Sequence, residues 1–396
     1  MDDVIIVGGG PVGFVTALGL ARAGVKVRLI EAGEDIVRSP RAAVYHWSVL
    51  DGFAALGILD ACRDAGFAKQ DYGYVVRATG EWIRYDLTPL ADNTAHPYNI
   101  HLGQDRMTEV VRRHLERHAH ATIDFGCRFT GLDQDAEGVS VHVDTAAGPQ
   151  TLRSHWVVGC DGSGSSVRKA LGLAFDGMTW PERFVATNAR HDFDRYGFAR
   201  STMRIDAEFG AVIVQITPDG LWRYTYKEDA RLPEESYQER MPRMFAELLG
   251  ADANYDVVAS APYRMHQRCA ARFRQGRVLL AGDAAHVTNP TGGLGLTGGL
   301  FDAYALYPAL VAVLDGADQA LLDRYDSARR NIFRNRTSPQ AVANKRLIFH
   351  ANGGDRELED ALVALRRMRD DVDFRVERLM FTKSLESPPL LETLAK

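Results

Sequence analysis

The chain has 396 residues, 46% hydrophobic and 25% charged, which is typical of a globular protein of two or three domains. A formal net charge of -5 at pH 7 and interspersed charges exclude a basic footprint for nucleic acid or an anionic membrane. The four cysteines are far apart and form no C-x-x-C pair, so we expect no metal site and no redox dithiol, and a reduced, cytoplasmic protein.

The first predicted element is an apolar strand, residues 4–7, that runs into a Gly-x-Gly-x-x-Gly turn. Gly8 permits the tight turn, Gly10 lets the backbone approach a pyrophosphate, and Gly13 lets the next helix pack closely. An amphipathic helix and a second strand follow, and Glu31 closes that strand, where its carboxylate would hold ribose hydroxyls. This order predicts a nucleotide-binding βαβ unit.

The next elements extend this unit. Residues 44–59 predict a helix, and residues 72–77 and 81–85 predict a β-hairpin outside the parallel sheet. Asp105 is the expected N-cap of a further helix. Strands are then predicted at 122–125, 139–143 and 156–159.

The second half of the chain changes pattern. Between about 178 and 265, β runs at 201–205, 211–216 and 221–226 and one helical stretch at 236–249 predict an inserted antiparallel sheet domain. Residues 278–281 predict a buried strand that returns to the first domain, and helices are expected from Leu300 onward. The predicted fold class is α/β (α+β overall), with a Rossmann-like domain, an inserted antiparallel sheet and C-terminal helices.

Two further motifs lie at 159–168, where Asp161-Gly162 follows a strand, and at 276–286, which ends in Gly-Asp-Ala-Ala-His. With the N-terminal glycines they resemble the three signatures of the single-component flavin monooxygenases typified by para-hydroxybenzoate hydroxylase. The resemblance covers residues 1 to about 305 and is weak between 178 and 260. It implies three regions. They are a discontinuous FAD-binding domain (1–72, 98–177 and 266–315), a β-sheet substrate domain (73–97 and 178–265) and a helical C-terminal region (316–396).

The resemblance also implies FAD contacts residue by residue. Asp283 would bind the ribityl chain, and Asp161 with Gly162 would help to hold FAD and is a candidate for the pyridine nucleotide. Arg41, in a Pro-Arg-Ala segment, would reach the FAD phosphates, and Gln104 would touch the flavin.

A second glycine cluster precedes a predicted helix. Gly292, Gly293 and Gly295 would present backbone N–H groups to the negative charge of a reduced flavin. No second strand follows that helix, so we expect NAD(P)H to dock transiently on a groove rather than on a domain of its own. Two residues depart from the family pattern: Thr297 replaces the usual asparagine, and Pro308 predicts a kink or a break in the helix.

Residues for catalysis and substrate binding are marked less clearly. The catalytic candidates are His46, Tyr45 and Pro290. The substrate candidates are Arg223, Tyr224 and Tyr226, and strand alternation puts Arg223 on the opposite face from both tyrosines. Ordinary packing is the alternative for each aromatic residue. His286 is either a helix-start or surface histidine or a cofactor contact.

The resemblance implies an FAD-dependent monooxygenase that uses NADH or NADPH and O2 to hydroxylate a small aromatic or heteroaromatic, phenol-like substrate through a flavin C4a-hydroperoxide. Protein groups would exclude water, orient the ring and deprotonate a phenol. One alternative is a flavin epoxidase, N-hydroxylase or halogenase that acts on a larger natural product. The other is an FAD-binding protein without turnover. We expect a small aromatic partner, no nucleic acid and no stable membrane association.

Overall fold

The computed structural model describes residues 1–38, 42–351 and 356–391. Two eight-stranded sheets and one three-stranded sheet are surrounded by helices. The strands are β1 (Asp2–Val7), β2 (Val27–Ile30), β3 (Val44–Tyr45), β4 (Phe67–Lys69), β5 (Asp71–Val76), β6 (Glu81–Asp86), β7 (Asn99–His101), β8 (Ala121–Asp124), β9 (Arg128–Gln134), β10 (Val139–Thr145), β11 (Gly148–Gly159), β12 (Phe175–Arg190), β13 (Ser201–Ile205), β14 (Ala211–Gln215), β15 (Leu221–Asp229), β16 (Asp256–Ala270), β17 (Arg274–Gln275), β18 (Val278–Leu280) and β19 (His286–Val287).

The α-helices are α1 (Pro11–Arg22), α2 (Leu50–Ala55), α3 (Leu59–Ala65), α4 (Gln104–Leu115), α5 (Ser166–Ala170), α6 (Tyr237–Leu249), α7 (Leu294–Leu314), α8 (Ala320–Ile332), α9 (Ser338–Phe349), α10 (Arg356–Asp370) and α11 (Val372–Leu379). Short 3-10 helices lie at Trp47–Val49, Thr88–Asp92, Phe193–Tyr196, Gly282–Ala284 and Met380–Leu385, and a π-helix lies at Phe333–Thr337.

The first sheet has the order β17-β18-β11-β1-β2-β8, and β18, β11, β1, β2 and β8 are parallel. Strands β10 and β9 extend from β11 in antiparallel fashion. Val4, Ile5 and Ile6 are fully buried because β1 lies in the middle of this sheet with helices against it. The predicted α/β class with a Rossmann-like domain is confirmed.

The second sheet has the order β19-β16-β12-β15-β14-β13-β5-β6. All of its neighbours are antiparallel except β13 and β5, which are parallel. The predicted hairpin is confirmed as β5 and β6, and the predicted runs at 201–205, 211–216 and 221–226 become β13, β14 and β15. The division of the chain into domains stays a prediction.

Strands β12 and β16 are the longest in the molecule as described, with 16 and 15 residues. They pair from Phe175 and Ala270 at one end to Arg190 and Asp256 at the other. Strand β19, which directly follows the Gly-Asp-Ala turn of the first domain, pairs with the Ala270 end of β16. The ribbon of β12 and β16 therefore connects the nucleotide-binding sheet with the rest of the second sheet.

Two local predictions near the N-terminal half were wrong. Residues 44–59 do not form one helix, because Val44 and Tyr45 pair with β7 as β3 before a 3-10 turn and the short helix α2. Helix α4 begins at Gln104 with Gly103 as its N-cap, so Asp105 lies inside the first turn. A carboxylate there still favours the helix, because it lies near the positive end of the helix dipole.

Helix α7 continues through Pro308 to Leu314, so of the two predicted effects of Pro308 the break was wrong and the kink stays a prediction. The helix packs tightly on α1: a Cβ on Gly19 would lie 2.5 Å from the ring of Tyr307, and one on Gly299 would lie 2.7 Å from Val12. By length and composition α7 is the one described helix that could span a membrane, and 56% of its apolar window is buried inside the protein. Packing in the core accounts for that composition.

Candidate functional site

A cleft of about 970 Å³ lies between the glycine turn after β1, the N-terminus of α7 and one face of the second sheet. Side chains of α9, α10 and α11 line its remaining side. The cleft brings together Gly10, Gln104, Gly162, Asp283, Gly292, Gly293 and Gly295 from the predicted cofactor residues, and His46, Pro290 and Arg223 from the other candidates.

The turn after β1 is shaped by contacts that only glycine permits. Gly8 has φ 113°, and a Cβ on it would lie 2.5 Å from the carbonyl oxygen of Cys160. A Cβ on Gly13 would lie 2.1 Å from the carbonyl oxygen of Gly8. A Cβ on Gly10 would meet nothing within 4 Å, because this residue caps α1 at the open side of the cleft. The structure therefore presents a bare helix N-terminus to a ligand.

Glu31 lies beside this turn and does not line the cleft. Its two carboxylate oxygens accept hydrogen bonds from the backbone N–H of Gly9, at 2.7 Å, and of Gly33, at 2.8 Å. The side chain thus fixes the turn from behind. Ribose binding by Glu31 stays a prediction.

Asp161 acts on the loop that ends β11. Its carboxylate accepts hydrogen bonds from the Ser165 hydroxyl at 2.6 Å and from the backbone N–H of Ser166 at 2.6 Å and of Val167 at 3.1 Å, so it holds the start of α5. The next residue, Gly162, has φ 78° and lines the cleft. Asp161 itself does not line it.

The Gly-Asp-Ala turn is held by a buried charged network. Asp283 is exposed and lines the cleft, and the backbone N–H of Gly282 beside it donates to Asp302 at 2.9 Å. Asp302 also accepts from His286 at 2.7 Å and from Arg329 at 2.7 Å. Burial opposes the ionisation of Asp302, but the charges of His286 and Arg329 outweigh it and lower the pKa of the carboxyl.

His286 is therefore neither a surface residue nor a residue of the cleft wall. Its side chain is 2% exposed and stacks on Phe333 and Phe273, with ring centroids 4.5 Å and 5.6 Å apart. The histidine belongs to the support of the Asp283 turn.

The N-terminus of α7 closes the other end of the site. Gly292 and Gly293 have φ 92° and 69°, and a Cβ on Gly293 would lie 3.0 Å from His46. The carbonyl oxygen of Gly292 accepts from Nε2 of His46 at 2.9 Å, so this nitrogen carries the proton. Burial lowers the pKa of His46. The imidazole is thus a neutral clamp on the loop as well as a wall of the cleft.

Thr297 does not face the cleft. It is buried, and its hydroxyl donates to the carbonyl oxygen of Gly293 at 2.9 Å. The departure from asparagine therefore strengthens the first turn of α7 rather than supplying a group to a ligand.

The structure places the catalytic candidate Tyr45 away from the cleft. The side chain is 1% exposed, its ring packs on Phe53 with centroids 5.5 Å apart, and it is not part of the cleft wall. Its neighbours Val44, in β3, and His46, directly after β3, face the cleft instead, because side chains alternate along an extended chain. Arg41 lies outside the described residues.

The cleft suits FAD on the evidence of its own backbone. Two exposed helix N-termini, at Gly10 and at Gly293, face the same space, and glycine is required at their turns by contact or by positive φ. Asp283 offers a carboxylate between them. Gly10, Asp283 and Gly293 would hold the cofactor, which would supply the redox and oxygen chemistry of the site.

The opposite wall is one face of the second sheet. It is formed by residues of seven strands, and along β5, β12, β13, β14 and β15 the lining residues alternate, as the strand period of two requires. The wall residues include Tyr72, Tyr74, Tyr85, Phe184, Ala186, Ser201, Met203, Val212, Val214, Arg223, Thr225, Ala261, Tyr263 and Met265. The sequence analysis missed most of this set because a period of two does not indicate which face is inward.

The structure places the substrate candidates Tyr224 and Tyr226 away from the cleft. Both rings are buried on the other face of the sheet, where α6 covers them, and the Tyr224 hydroxyl donates to the carbonyl oxygen of Met244 at 3.1 Å. Arg223 is on the cleft face, as alternation predicts, and its Nε donates to Asn188 at 2.9 Å. Burial lowers the pKa of Arg223 to about 10, so the guanidinium keeps its charge at neutral pH.

A polar group behind the wall was also missed. His101, fully buried on β7, lies 3.4 Å from the hydroxyl of Ser201, which lines the cleft. Lys69 is 5% exposed, and burial lowers the pKa of its ammonium to about 7. The three residues are far apart in sequence, and an isolated histidine or lysine next to a strand gives no signal of such an assembly.

Comparison with known proteins gives concordant results. Residues 1–338 match the family model described as FAD binding domain. The chain is 43% identical over 386 residues to 6-hydroxy-3-succinoylpyridine 3-monooxygenase HspB of Pseudomonas putida, covering 97% of this chain and 98% of that one. It is 42% identical over 367 residues to para-nitrophenol 4-monooxygenase of a Pseudomonas species, covering 91% of each. The crystal structure of p-nitrophenol 4-monooxygenase PnpA from Pseudomonas putida superposes with a TM-score of 0.93 at 39% identity, covering 98% of each chain.

Proposed function

Since the chain belongs to the family of single-component FAD-dependent aromatic monooxygenases, we propose that its substrate is a single-ring phenol or hydroxypyridine with an electron-withdrawing or anionic group opposite the hydroxyl. The enzyme hydroxylates an aromatic ring with NAD(P)H and O2, and FAD supplies the chemistry that activates oxygen. The alternative of an FAD-binding protein without turnover is set aside by this membership.

The observation that carries the proposal is the half-buried guanidinium of Arg223, set in a largely apolar and aromatic part of the wall that faces the glycine turns. A positive charge in such a wall stabilises a negative or strongly electron-withdrawing group on a ligand. The aromatic residues around it, such as Tyr72, Tyr85 and Phe184, suit a flat ring.

The names of the two relatives agree in one chemical respect. In para-nitrophenol, position 4 carries the nitro group and lies opposite the hydroxyl. In 6-hydroxy-3-succinoylpyridine, position 3 carries the succinoyl group and lies opposite the 6-hydroxyl. We extend this pattern to the present enzyme: it inserts oxygen at a substituted ring carbon opposite a hydroxyl, which is the electron-rich position of such a ring.

A large natural product fits the site less well. The cleft of about 970 Å³ has to accommodate both the cofactor and the substrate, and side chains of α9, α10 and α11 line part of it. A polycyclic substrate would have to share this volume with the cofactor. We therefore expect a polycyclic phenol to stimulate the enzyme less than a single-ring phenol.

The test uses the FAD-loaded protein with NADH and with NADPH, and it follows oxygen consumption, hydrogen peroxide and product together. The panel is para-nitrophenol, meta-nitrophenol, para-hydroxybenzoate, 3-acyl-6-hydroxypyridines and a polycyclic phenol. We expect strong stimulation by members with opposed groups, little peroxide and, with para-nitrophenol, release of nitrite. Stimulation by the polycyclic phenol alone would replace the proposed substrate class.

A further inference from the structure

We propose that Ser201 receives the ring hydroxyl of the substrate, and that His101 acts through Ser201 as the acceptor of its proton; this rests on the proposed function. Ser201 lies on the cleft face of β13, and its hydroxyl is 3.4 Å from Nε2 of His101 behind the wall. No part of the cofactor-binding turns requires either residue.

The tautomer of His101 follows from its other contact. Its Nδ1 lies 2.6 Å from the backbone carbonyl oxygen of Gln215, and a carbonyl only accepts hydrogen bonds. Nδ1 therefore carries the proton of the neutral ring, and Nε2 presents its lone pair to Ser201. The Ser201 hydroxyl donates to that lone pair, which leaves its oxygen free to accept a hydrogen bond from a ligand in the cleft.

The surroundings keep His101 neutral. Burial lowers the pKa of His101 well below its usual value, and the neighbouring titratable groups of Lys69, His46 and Arg200 act in the same direction. These three groups face it from β4, from the segment before the Trp47–Val49 turn and from the residue before β13. The ring of Phe67 covers His101, with centroids 5.3 Å apart. An imidazole held this way is a hydrogen-bond acceptor in the resting enzyme.

The chemistry demands only a modest base. When oxygen adds to the ring carbon opposite the hydroxyl, positive charge reaches that hydroxyl and makes it strongly acidic. Its O–H bond then breaks and a C=O bond forms, while the proton passes to the oxygen of Ser201 and the serine proton passes to Nε2 of His101. The oxygen atom comes from O2, with NAD(P)H as the reductant, and the two proton transfers move one positive charge from the ring to the imidazole. A neutral imidazole of lowered pKa is sufficient for so acidic a proton.

Strand register places this acceptor opposite Arg223. Ser201 pairs with Val214 across β13 and β14, and Val214 pairs with Arg223 across β14 and β15, so the three residues form one row on the cleft face. Neighbouring strands are about 4.8 Å apart, which sets Ser201 and Arg223 about 10 Å apart at Cα. A single ring that lies over Val214 reaches Ser201 with its hydroxyl and Arg223 with the group at the opposite position.

The experiment compares para-nitrophenol with its methyl ether, para-nitroanisole, in binding to the FAD-loaded oxidised enzyme, followed by the change in flavin absorbance. The ether keeps the ring and the nitro group but has no proton to donate. We expect the wild type to bind the phenol about 10-fold more tightly than the ether at a pH below the phenol's own ionisation. The S201A and H101L enzymes should bind the two ligands about equally, and S201T, which retains a hydroxyl, should restore the preference.

Turnover supplies the second readout. In S201A and in H101L, the rate of product formation from para-nitrophenol should fall by about 100-fold, while NAD(P)H oxidation continues and releases hydrogen peroxide. The matched control is T202V, because Thr202 is the next residue of β13, points away from the cleft and donates to the carbonyl oxygen of Ala199. FAD content and the thermal midpoint show whether each variant is folded. If H101L does not fold, S201A still tests the inference, because it removes only one hydroxyl group.

The inference would be overturned if S201A and H101L both kept the wild-type preference for the phenol. It would also be overturned if the wild type bound the phenol and the ether with equal affinity. Failure of the wild type to bind para-nitrophenol would instead contradict the proposed function. So would a wild-type enzyme that binds the phenol with the expected preference but shows no stimulated NAD(P)H oxidation.

Discussion

The turn after β1 and the inner face of the second sheet line the same cleft, yet they are built from different parts of the chain. The turn presents backbone N–H groups, and its geometry depends on the absence of side chains at Gly8 and Gly13. The sheet face presents side chains at alternate positions on a regular backbone. The first arrangement fits one ligand and tolerates little change, whereas the second can change its ligand while the backbone stays the same.

The largest effect is expected at Gly13. In the G13A variant the new methyl group would overlap the carbonyl oxygen of Gly8, so we expect the dissociation constant for FAD to rise by about 100-fold. FAD titration followed by flavin fluorescence measures it. The control is G164A, since a Cβ on Gly164 meets nothing within 4 Å. Equal FAD affinity in G13A and wild type would contradict the claim that FAD binding depends on the absence of a side chain at Gly13.

The buried network under the Asp283 turn should give the next largest effect. D302N keeps the shape of the side chain but removes the negative charge that faces Arg329 and His286, so we expect a loss of about 3–5 kcal/mol in the free energy of unfolding. Urea denaturation of the FAD-free proteins checks this value. D360N is the control, because Asp360 is exposed on α10. A loss below about 1 kcal/mol in D302N would show that the network does not hold the turn.

A substitution in the wall should change substrate binding and leave the cofactor alone. In R223M we expect KM for a substrate with an opposed anionic or nitro group to rise by about 10- to 100-fold, with FAD affinity unchanged. R190Q is the control, because Arg190 lies on the same sheet, exposed, and pairs with Asp219. Steady-state kinetics and FAD titration together give the result. Loss of FAD from R223M would show that the sheet face and the glycine turn do not serve separate ligands.

The wall should also respond to acid through its link to α9. Burial raises the pKa of Glu182, but His350 and Lys345 outweigh burial and lower it from its usual 4.5 to about 2. A carboxyl with a lowered pKa stabilises the fold above the unfolded value and loses this contribution as pH falls through the folded value. The difference in urea midpoint between wild type and E182Q should therefore be full above pH 4.5 and shrink toward pH 2.

The smallest effect is expected on the far face of the same strand that carries Arg223. The hydroxyl of Tyr226 is buried without a described hydrogen-bond partner, so Y226F should change the free energy of unfolding by about 0.5 kcal/mol or less and leave KM unchanged. Thermal melting and steady-state kinetics check both. A KM change in Y226F as large as that in R223M would mean that the face of the sheet does not decide which residues meet the substrate.

The same contrast explains what the sequence could predict. Gly8, Gly10 and Gly13 are recognisable because backbone geometry restricts residue type at fixed spacing, and the fold class followed from the order of strands and helices around them. Asp283 and Gly162 line the cleft for a similar reason. Side chains that act at a distance from these turns carry no such restriction.

The wall could be predicted only in part. Alternation separated Arg223 from Tyr224 correctly, but it did not indicate which face is inward, and α6 decided this by covering the tyrosines. Tyr45 and His46 differ by one position, and the pairing of β3 with β7 decided which of them faces the cleft. Ser201 and His101 meet only because β13 and β7 are brought together by tertiary structure, which no local pattern records.

The ribbon of β12 and β16 has a consequence for how such an enzyme can diversify. Its Phe175 end is joined to the cofactor turn through β19, and its other end carries Phe184 and Ala186 in the wall. Substitution of one residue that faces the cleft changes the surface that meets the substrate and leaves the backbone of the ribbon as it is. Insertion of a single residue would move every side chain beyond it to the opposite face of the sheet, so the residues that now line the cleft would point away from it. Substrate range on this scaffold should accordingly evolve by point substitution within the ribbon, with changes of length confined to its loops.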